Sequence, residues 1–326
     1  MVVFTEYLGI LGKPHTFIAL GKGGVGKTTT AIALALELSR IGRTLLASFD
    51  PAKHLLKYLE LPEAGRIHSR NPFHAYQFDL EQATGKLLKE LRGNLESLAP
   101  SLKVLNAESV LKAARYTPGL EEDAIIRELS RLYGLTDYDY LVVDMPPTGL
   151  AIRVLMLPEL YTSWLDGLID VRSRILSLKY TIGRVRGIRQ EVSDPVLNRL
   201  IELRNMYSGL YTNLKNPERT SFIIVANPEP LPLYEMKEIT RALAESLDAR
   251  PRLLVMNKVV NGMVRQAEYL EALRDYCEIP FPHACIPLLE KPPSTIRDVE
   301  ALCEKVYDCC RVYGYSHQAG APVLKD

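Results

Sequence analysis

Apolar positions in this chain follow two rhythms. Short, nearly unbroken apolar runs recur at Thr16 to Leu20, Thr44 to Phe49, His74 to Phe78, Tyr140 to Val143 and Ser221 to Ala226, then Arg252 to Met256 and, more weakly, His283 to Ile286. A run that is apolar throughout, without alternation, predicts a strand buried on both faces. Between the runs, apolar residues recur three and four positions apart, the period of a helix with one buried face. Thr29 to Arg40, directly behind the first run, is such a segment. Strands alternating with helices predict an α/β fold, a doubly wound and mostly parallel sheet. Ligands of such sheets bind beyond the carboxyl ends of the strands.

Two intervals are too long for a minimal strand-helix repeat. In Leu80 to Thr136, the residues Leu87, Leu88, Leu91, Leu95 and Leu98 share one helical face, as do Ile125, Ile126, Leu129 and Leu132. In Leu150 to Asn216, the apolar sets are Leu160, Trp164, Leu165, Leu168, Ile169 and Leu176, then Val196, Leu197, Leu200, Ile201 and Leu203. The expected organisation is a nucleotide core at 15–79, 137–149 and 221–312, an inserted helical subdomain at 80–136 and 150–216, and a flexible tail at 313–326. Two readings of the stripes stand: ordinary core, or a groove shared by both insertions for an apolar partner helix. Gly183 to Arg189, with three arginines, reads as a solvated mobile loop, and no internal repeat is found.

Composition narrows this little. The chain has 326 residues, 47% of them hydrophobic, with 40 basic against 39 acidic side chains. That balance gives no basis for nucleic-acid binding or for a polybasic membrane anchor. No signal peptide and no membrane-spanning apolar run stand out, so a soluble cytoplasmic protein is expected. The five cysteines, Cys277, Cys285, Cys303, Cys309 and Cys310, form no C-x-x-C pair, so no zinc is expected, and a reducing compartment fits the chemistry below.

That chemistry centres on Gly21 to Thr28, Gly-Lys-Gly-Gly-Val-Gly-Lys-Thr, which fits the phosphate-loop pattern G-x-x-x-x-G-K-[ST]. It lies between a predicted strand and a predicted helix, as the motif requires. Gly23, Gly24, Val25, Gly26, Lys27, Thr28 and Thr29 are the candidate phosphate cradle. Lys27 supplies the cation between the β- and γ-phosphates, and the Thr28 hydroxyl is a Mg²⁺ ligand. Asp144, ending the run Tyr140 to Val143, is the candidate second carboxylate for Mg²⁺, directly or through water. It opens Asp144-Met145-Pro146-Pro147-Thr148-Gly149, a turn suited to sensing a γ-phosphate. Asp50 ends the second run; it either orients the attacking water or caps a helix over Ala52 to Leu59. Lys22 is an additional lysine in the loop, either a solvated side chain or one with a role of its own.

These motifs together resemble the arsenite-pump and tail-anchored-protein-targeting ATPase family, within a dimerising class with a "deviant" phosphate loop. The resemblance rests on Gly21 to Thr28, Asp50-Pro51-Ala52 and Asp144 to Gly149. It extends through Arg153, Leu155, Leu157 and Pro158, through Tyr116 to Glu122, through Glu229 with Leu231 to Glu235, and through Val255 to Lys258, up to Pro287. It implies a homodimeric ATPase that uses ATP and Mg²⁺ and closes on ATP. In the targeting members, the helical subdomains join into a groove for a membrane-anchor helix that is passed to a membrane receptor. By the same resemblance, Lys22 reaches the partner's nucleotide, Asp50 activates water, and Asn257, Glu229 and Pro287 lie at the nucleoside.

The departures are specific. The family's zinc C-x-x-C, expected between Val260 and Glu278, is missing. His54 stands in place of an asparagine, Leu150 in place of a histidine, and Met145-Pro146 in place of T-A. Three functions follow in order: tail-anchor targeting, arsenite or antimonite efflux, and a nucleotide-regulated holdase. The second ranks lower because no cysteine precedes Cys277.

Overall fold

The computed structural model describes residues 4, 8, 12–98, 119–185, 194–260, 267–308 and 310. Its strands are β1 (His15–Leu20), β2 (Thr44–Ser48), β3 (Ile67–Arg70), β4 (Phe73–Gln77), β5 (Tyr140–Asp144), β6 (Thr220–Ala226), β7 (Pro251–Val259) and β8 (His283–Pro287). They form one sheet in the order β3-β4-β2-β5-β1-β6-β7-β8. All neighbours run parallel except the edge pair β3 and β4. All the apolar runs became strands of the parallel part. β3 was not anticipated: its residues alternate between exposed and partly exposed, so it carries no apolar run. Antiparallel pairing with β4 across Asn71-Pro72 holds it at the edge.

The helices are α1 (Lys27–Leu38), α2 (His54–Tyr58), α3 (Leu80–Leu98), α4 (Leu120–Tyr133), α5 (Thr148–Val185), α6 (Pro195–Lys215), α7 (Pro230–Leu247), α8 (Ala267–Cys277) and α9 (Ile296–Cys303). β1 divides its side chains by period two: Phe17 and Ala19 enter a core with α1 and α9, while Ile18 and Leu20 enter one with α4 to α8. Burial on both faces is why the strand runs carry no polar alternation.

α5 is continuous for 38 residues, with Pro158 inside it. A proline there removes one backbone donor and loosens the helix locally. The Thr162 hydroxyl donates to the Pro158 carbonyl at 2.7 Å. α5 lies along α6, whose N-cap Asp194 accepts from Leu197 N at 2.7 Å and pairs with Arg172 at 2.6 Å. The inner side of α5 buries Ala151, Val154, Leu155 and Leu165. Its other side leaves Met156, Leu160, Trp164, Val171, Ile175, Leu178, Ile182 and Val185 in solvent, Trp164 at 64% exposure. These recur three, four or seven residues apart, so they form one continuous stripe. At 1.5 Å per residue it runs on the order of 40 Å. No helix among the described residues is long and apolar enough to cross a membrane.

Cys277 and Cys310 are joined by a disulfide, and Cys285 is also disulfide-bonded; Cys303 is a buried free thiol. Paired cysteines differ from the reducing surroundings that the phosphate-loop chemistry suggested. The distant spacing of the cysteines gave no local sign of pairing. The tail at 313–326 and most of the predicted loop at Gly183 to Arg189 lie outside the described residues.

Candidate nucleotide-binding site

The phosphate loop leaves the central strand β1 and enters α1. Two of its glycines are required by close approach. A Cβ at Gly21, where φ is +145°, would lie 2.2 Å from the Val225 carbonyl oxygen. One at Gly26, where φ is +97°, would lie 2.2 Å from Asn257 Nδ2. Only glycine fits both the conformation and the space. Gly26 is the residue before α1 and no side chain caps that helix, so the first-turn amides are left facing the loop. Uncapped amides at a helix N-terminus suit an anion.

Lys27 is buried, and its Nζ donates to the Lys22 carbonyl at 3.0 Å. Burial lowers its pKa, and Asp144, Asp50 and Glu235 oppose that by raising it. Asp144 is fully buried at the end of β5. Its Oδ2 accepts from the Thr28 hydroxyl at 2.7 Å and from the Ser48 hydroxyl at 2.8 Å. Its Oδ1 has no partner. Burial raises the Asp144 pKa to about 6, with the two hydroxyls and Lys27 pulling it down. A buried carboxylate oxygen without a partner, beside the Thr28 hydroxyl, is a donor set suited to Mg²⁺. Among the described residues no cluster of three His, Cys, Asp or Glu side chains forms a metal site of protein ligands alone.

Asp50 follows β2. Its Oδ1 accepts from Ala52 N at 2.9 Å, and its Oδ2 lies 3.8 Å from His54 Nδ1. The helix behind it begins at His54, later than expected, and Lys53 (φ 51°) occupies the cap position. Asp50 therefore bonds the turn with one oxygen while the other faces His54. Gln77, buried on β4, donates to the Ser48 and Asp50 carbonyls at 3.2 and 3.1 Å and so fixes the backbone there.

A cavity of about 350 Å³ adjoins the loop, lined among others by Gly24, Lys27, Thr29, Asp50, His54, Asn257, Lys258 and Pro287. A larger cleft of about 600 Å³ lies between the β3–β4 edge and α3 and α4, lined by Arg66, Lys86, Arg127, Glu90 and Glu128 among others, away from the phosphate motif. The phosphate loop, the uncapped first turn of α1 and Lys27 all converge on the smaller cavity. Asn257 faces this cavity with its amide already engaged: Nδ2 donates to the Val25 carbonyl at 2.8 Å, and Oδ1 accepts from Lys258 N at 2.8 Å. Lys258, at φ 60°, reaches back to the Gly24 carbonyl at 3.0 Å. Glu229 occupies the exposed cap position before α7 and is not part of the cavity wall. Lys22 lies 3.8 Å from Glu235 on α7, and Glu235 also accepts from the Thr148 hydroxyl at 2.9 Å. Gln77 and Ser48 were not legible in the sequence; each is brought to the site by its strand neighbours.

A mostly parallel sheet with a phosphate loop after its central strand β1, and with carboxylates after the next two strands on one side, β5 and β2, defines a phosphate-loop nucleoside triphosphatase. The family model described as "Anion-transporting ATPase" matches residues 15–278, and the chain belongs to that family. It is an ATPase. Similar proteins include a "Putative arsenical pump-driving ATPase 2" of Aquifex aeolicus, 28% identical over 268 residues, covering 80% of this chain and 85% of that one. An "ATPase ASNA1 homolog" of Dictyostelium discoideum is 25% identical over 243 residues, covering 74% and 70%. "ATPase GET3A" of Arabidopsis thaliana is 28% identical over 247 residues, covering 74% and 65%.

Proposed function

We propose that this ATPase is a cytoplasmic, homodimeric targeting factor that holds an apolar membrane-anchor helix in an ATP-gated groove and passes it to a membrane receptor. The supporting observation is the apolar stripe of α5, which runs from Met156 to Val185 and leaves Trp164 64% exposed. α5 starts at Thr148 in the switch turn, so the helix that begins at the γ-phosphate sensor also carries the apolar face. Pro158 lies between the two parts.

In this reading residues 15–79, 137–149 and 221–312 form the nucleotide core, and 80–136 and 150–216 the client-binding subdomain. Lys27 and the loop amides hold the phosphates. Thr28 and Asp144 hold Mg²⁺, which supplies charge neutralisation at the phosphates. Asp50 Oδ2 orients water, with His54 Nδ1 3.8 Å away. Lys22 acts across the dimer. Asn257 and Pro287 flank the nucleoside, with Glu229 approaching it only on closure. Asn257 also braces Val25, so base binding and loop geometry are coupled through one amide.

Two ion-pair sets connect the switch helix to its neighbours. Arg153 Nε donates to Glu122 at 2.8 Å, joining α5 to α4. Asp123 receives Arg127 at 2.8 Å and the Tyr207 hydroxyl, joining α4 to α6. α5 is thus joined by side-chain bonds to α4, and α4 to α6.

The names of the Aquifex relatives favour a second reading, the driving subunit of an arsenical pump. It requires metalloid-stimulated turnover in a chain with no cysteine before Cys277.

The test is photo-crosslinking from probes at Leu160, Trp164 and Leu178 to an apolar helical peptide. Crosslinks that appear with a non-hydrolysable ATP analogue and fade with ADP are expected. Crosslinks that ignore the nucleotide, or turnover stimulated by arsenite, would remove the targeting reading.

A further inference from the structure

Glu235 is the one carboxylate of the site that stands on neither the loop nor a flanking strand end. It projects from α7, and its two oxygens are engaged in different directions. Oε1 faces Lys22 Nζ at 3.8 Å, with side-chain exposures of 25% for Glu235 and 32% for Lys22. Oε2 accepts the Thr148 hydroxyl at 2.9 Å. Lys22 belongs to the phosphate loop, and Thr148 is the first residue of α5. A single side chain from a third element thus spans the anion site and the head of the helix that bears the apolar stripe. Its charge also reaches Lys27.

We propose that Glu235 is the positioning residue through which the phosphate site acts on α5: without nucleotide it holds Lys22 away from the phosphates and Thr148 at the helix head, and a bound polyphosphate releases both. This rests on the reading above that nucleotide governs α5. The physical reason is charge competition. A triphosphate attracts an ammonium more strongly than one partly solvated carboxylate does. Once Lys22 turns to the phosphate across the dimer, Glu235 is left beside its own nucleotide without its counter-ion and is repelled. The hydroxyl of Thr148 then loses its acceptor, and the first turn of α5 is free to follow the γ-phosphate. Linkage makes the relation reciprocal: whatever weakens the Glu235 clamp must strengthen polyphosphate binding by the same factor.

The two bonds separate by substitution. Glu235→Gln retains an oxygen for Thr148 but loses the ion pair with Lys22. Glu235→Ala loses both. Thr148→Val breaks only the bond at the helix head. Hydrogen exchange of the nucleotide-free full-length chain is read at residues 148–157, with β5 as an internal control for folding. We expect about tenfold faster exchange there in Glu235→Ala and Thr148→Val, the effect of losing a charge-assisted bond, and wild-type exchange in Glu235→Gln. We expect Glu235→Gln to bind a non-hydrolysable ATP analogue about two- to fivefold more tightly, as loss of a partly exposed ion pair allows. Wild-type exchange in both Glu235→Ala and Thr148→Val, or unchanged analogue affinity in Glu235→Gln, would overturn the proposal. Should Glu235→Ala fail to fold, Thr148→Val and Glu235→Gln carry the test. Client crosslinks are a separate readout. Nucleotide-gated crosslinks with silent Glu235 variants discard this clamp alone; the expected exchange with ungated crosslinks discards the targeting reading alone.

Discussion

The carboxyl ends of the strands and the outer face of α5 treat their side chains in opposite ways. At the strand ends polar groups are buried and tied into the fold: Asp144 takes two hydroxyls on one oxygen, Gln77 gives to two carbonyls, and Asn257 uses both ends of its amide, while Asp144 Oδ1 and Gln77 Oε1 are buried without a hydrogen-bond partner. Along α5 it is apolar groups that face water, from Met156 to Val185. Burial of a large apolar side chain is worth roughly 2 kcal/mol, and the exposed side chains of α5 forgo it.

The comparison breaks most visibly at Lys27. Lys27→Ala should lower turnover on the order of 10³-fold or more, because the developing phosphate charge loses its principal cation. Single-turnover hydrolysis near the wild-type rate would show that the loop is not the catalytic anion site. Asp50→Asn comes next. With nucleotide affinity little changed, kcat should fall by roughly 10²-fold or more, the usual cost of losing a base or water-positioning group. Equal losses of binding and turnover would assign Asp50 only to its bond with Ala52 N.

The outer face is sharpened by Trp164→Ser combined with Leu178→Ser. Basal ATP hydrolysis should remain within about twofold of wild type while affinity for an apolar helical peptide drops about tenfold, the scale of losing aromatic anchors. Peptide binding that survives would place the client elsewhere.

The smallest expected effect is on stability. Burial raises the Asp144 pKa to about 6, above the carboxylate's ordinary 3.8. A group whose folded pKa is raised stabilises fully below its unfolded value and loses that contribution as pH rises through the folded one. The nucleotide-free protein should therefore lose this contribution between about pH 4 and 6. Asp144→Asn should flatten that slope and raise the Tm at pH 7 by a few degrees, while removing Mg²⁺-dependent turnover. Calorimetry across that range checks both parts; a steeper slope in the variant would contradict the assignment.

Much of this was legible beforehand because its signals are local. The parallel strands are apolar runs, and the loop, Asp50 and Asp144 sit where such runs end. β3 escaped notice because an exposed edge strand needs no apolar run. Gln77 and Ser48 escaped for another reason: what brings them to the site is the adjacency of β4, β2 and β5, which no short window of sequence encodes. Glu235 stood in a legible motif, Leu231 to Glu235, but its bonds to Lys22 and Thr148 come from the docking of α7. The stripe was half visible. Period showed Leu160, Trp164 and Leu165 together, but only packing separates exposed Leu160 and Trp164 from buried Leu165. Asn257 shows the opposite limit, since the family resemblance suggested a base contact while the fold gives its amide a second task in bracing the loop.

The bond between Cys277 and Cys310 closes a ring of sequence separation 33, and β8 with Pro287 lies inside it. A crosslink of that span takes roughly 3 to 4 kcal/mol of freedom from the unfolded chain in the chain-entropy model. β8, which carries Pro287 of the cavity lining, thus lies within a covalently closed segment. Inside cells, bonds of this kind endure chiefly in organisms that grow near the boiling point of water. Reducing the bond between Cys277 and Cys310 would return that freedom to the unfolded chain, so the redox surroundings of the protein enter the stability of this edge of the sheet.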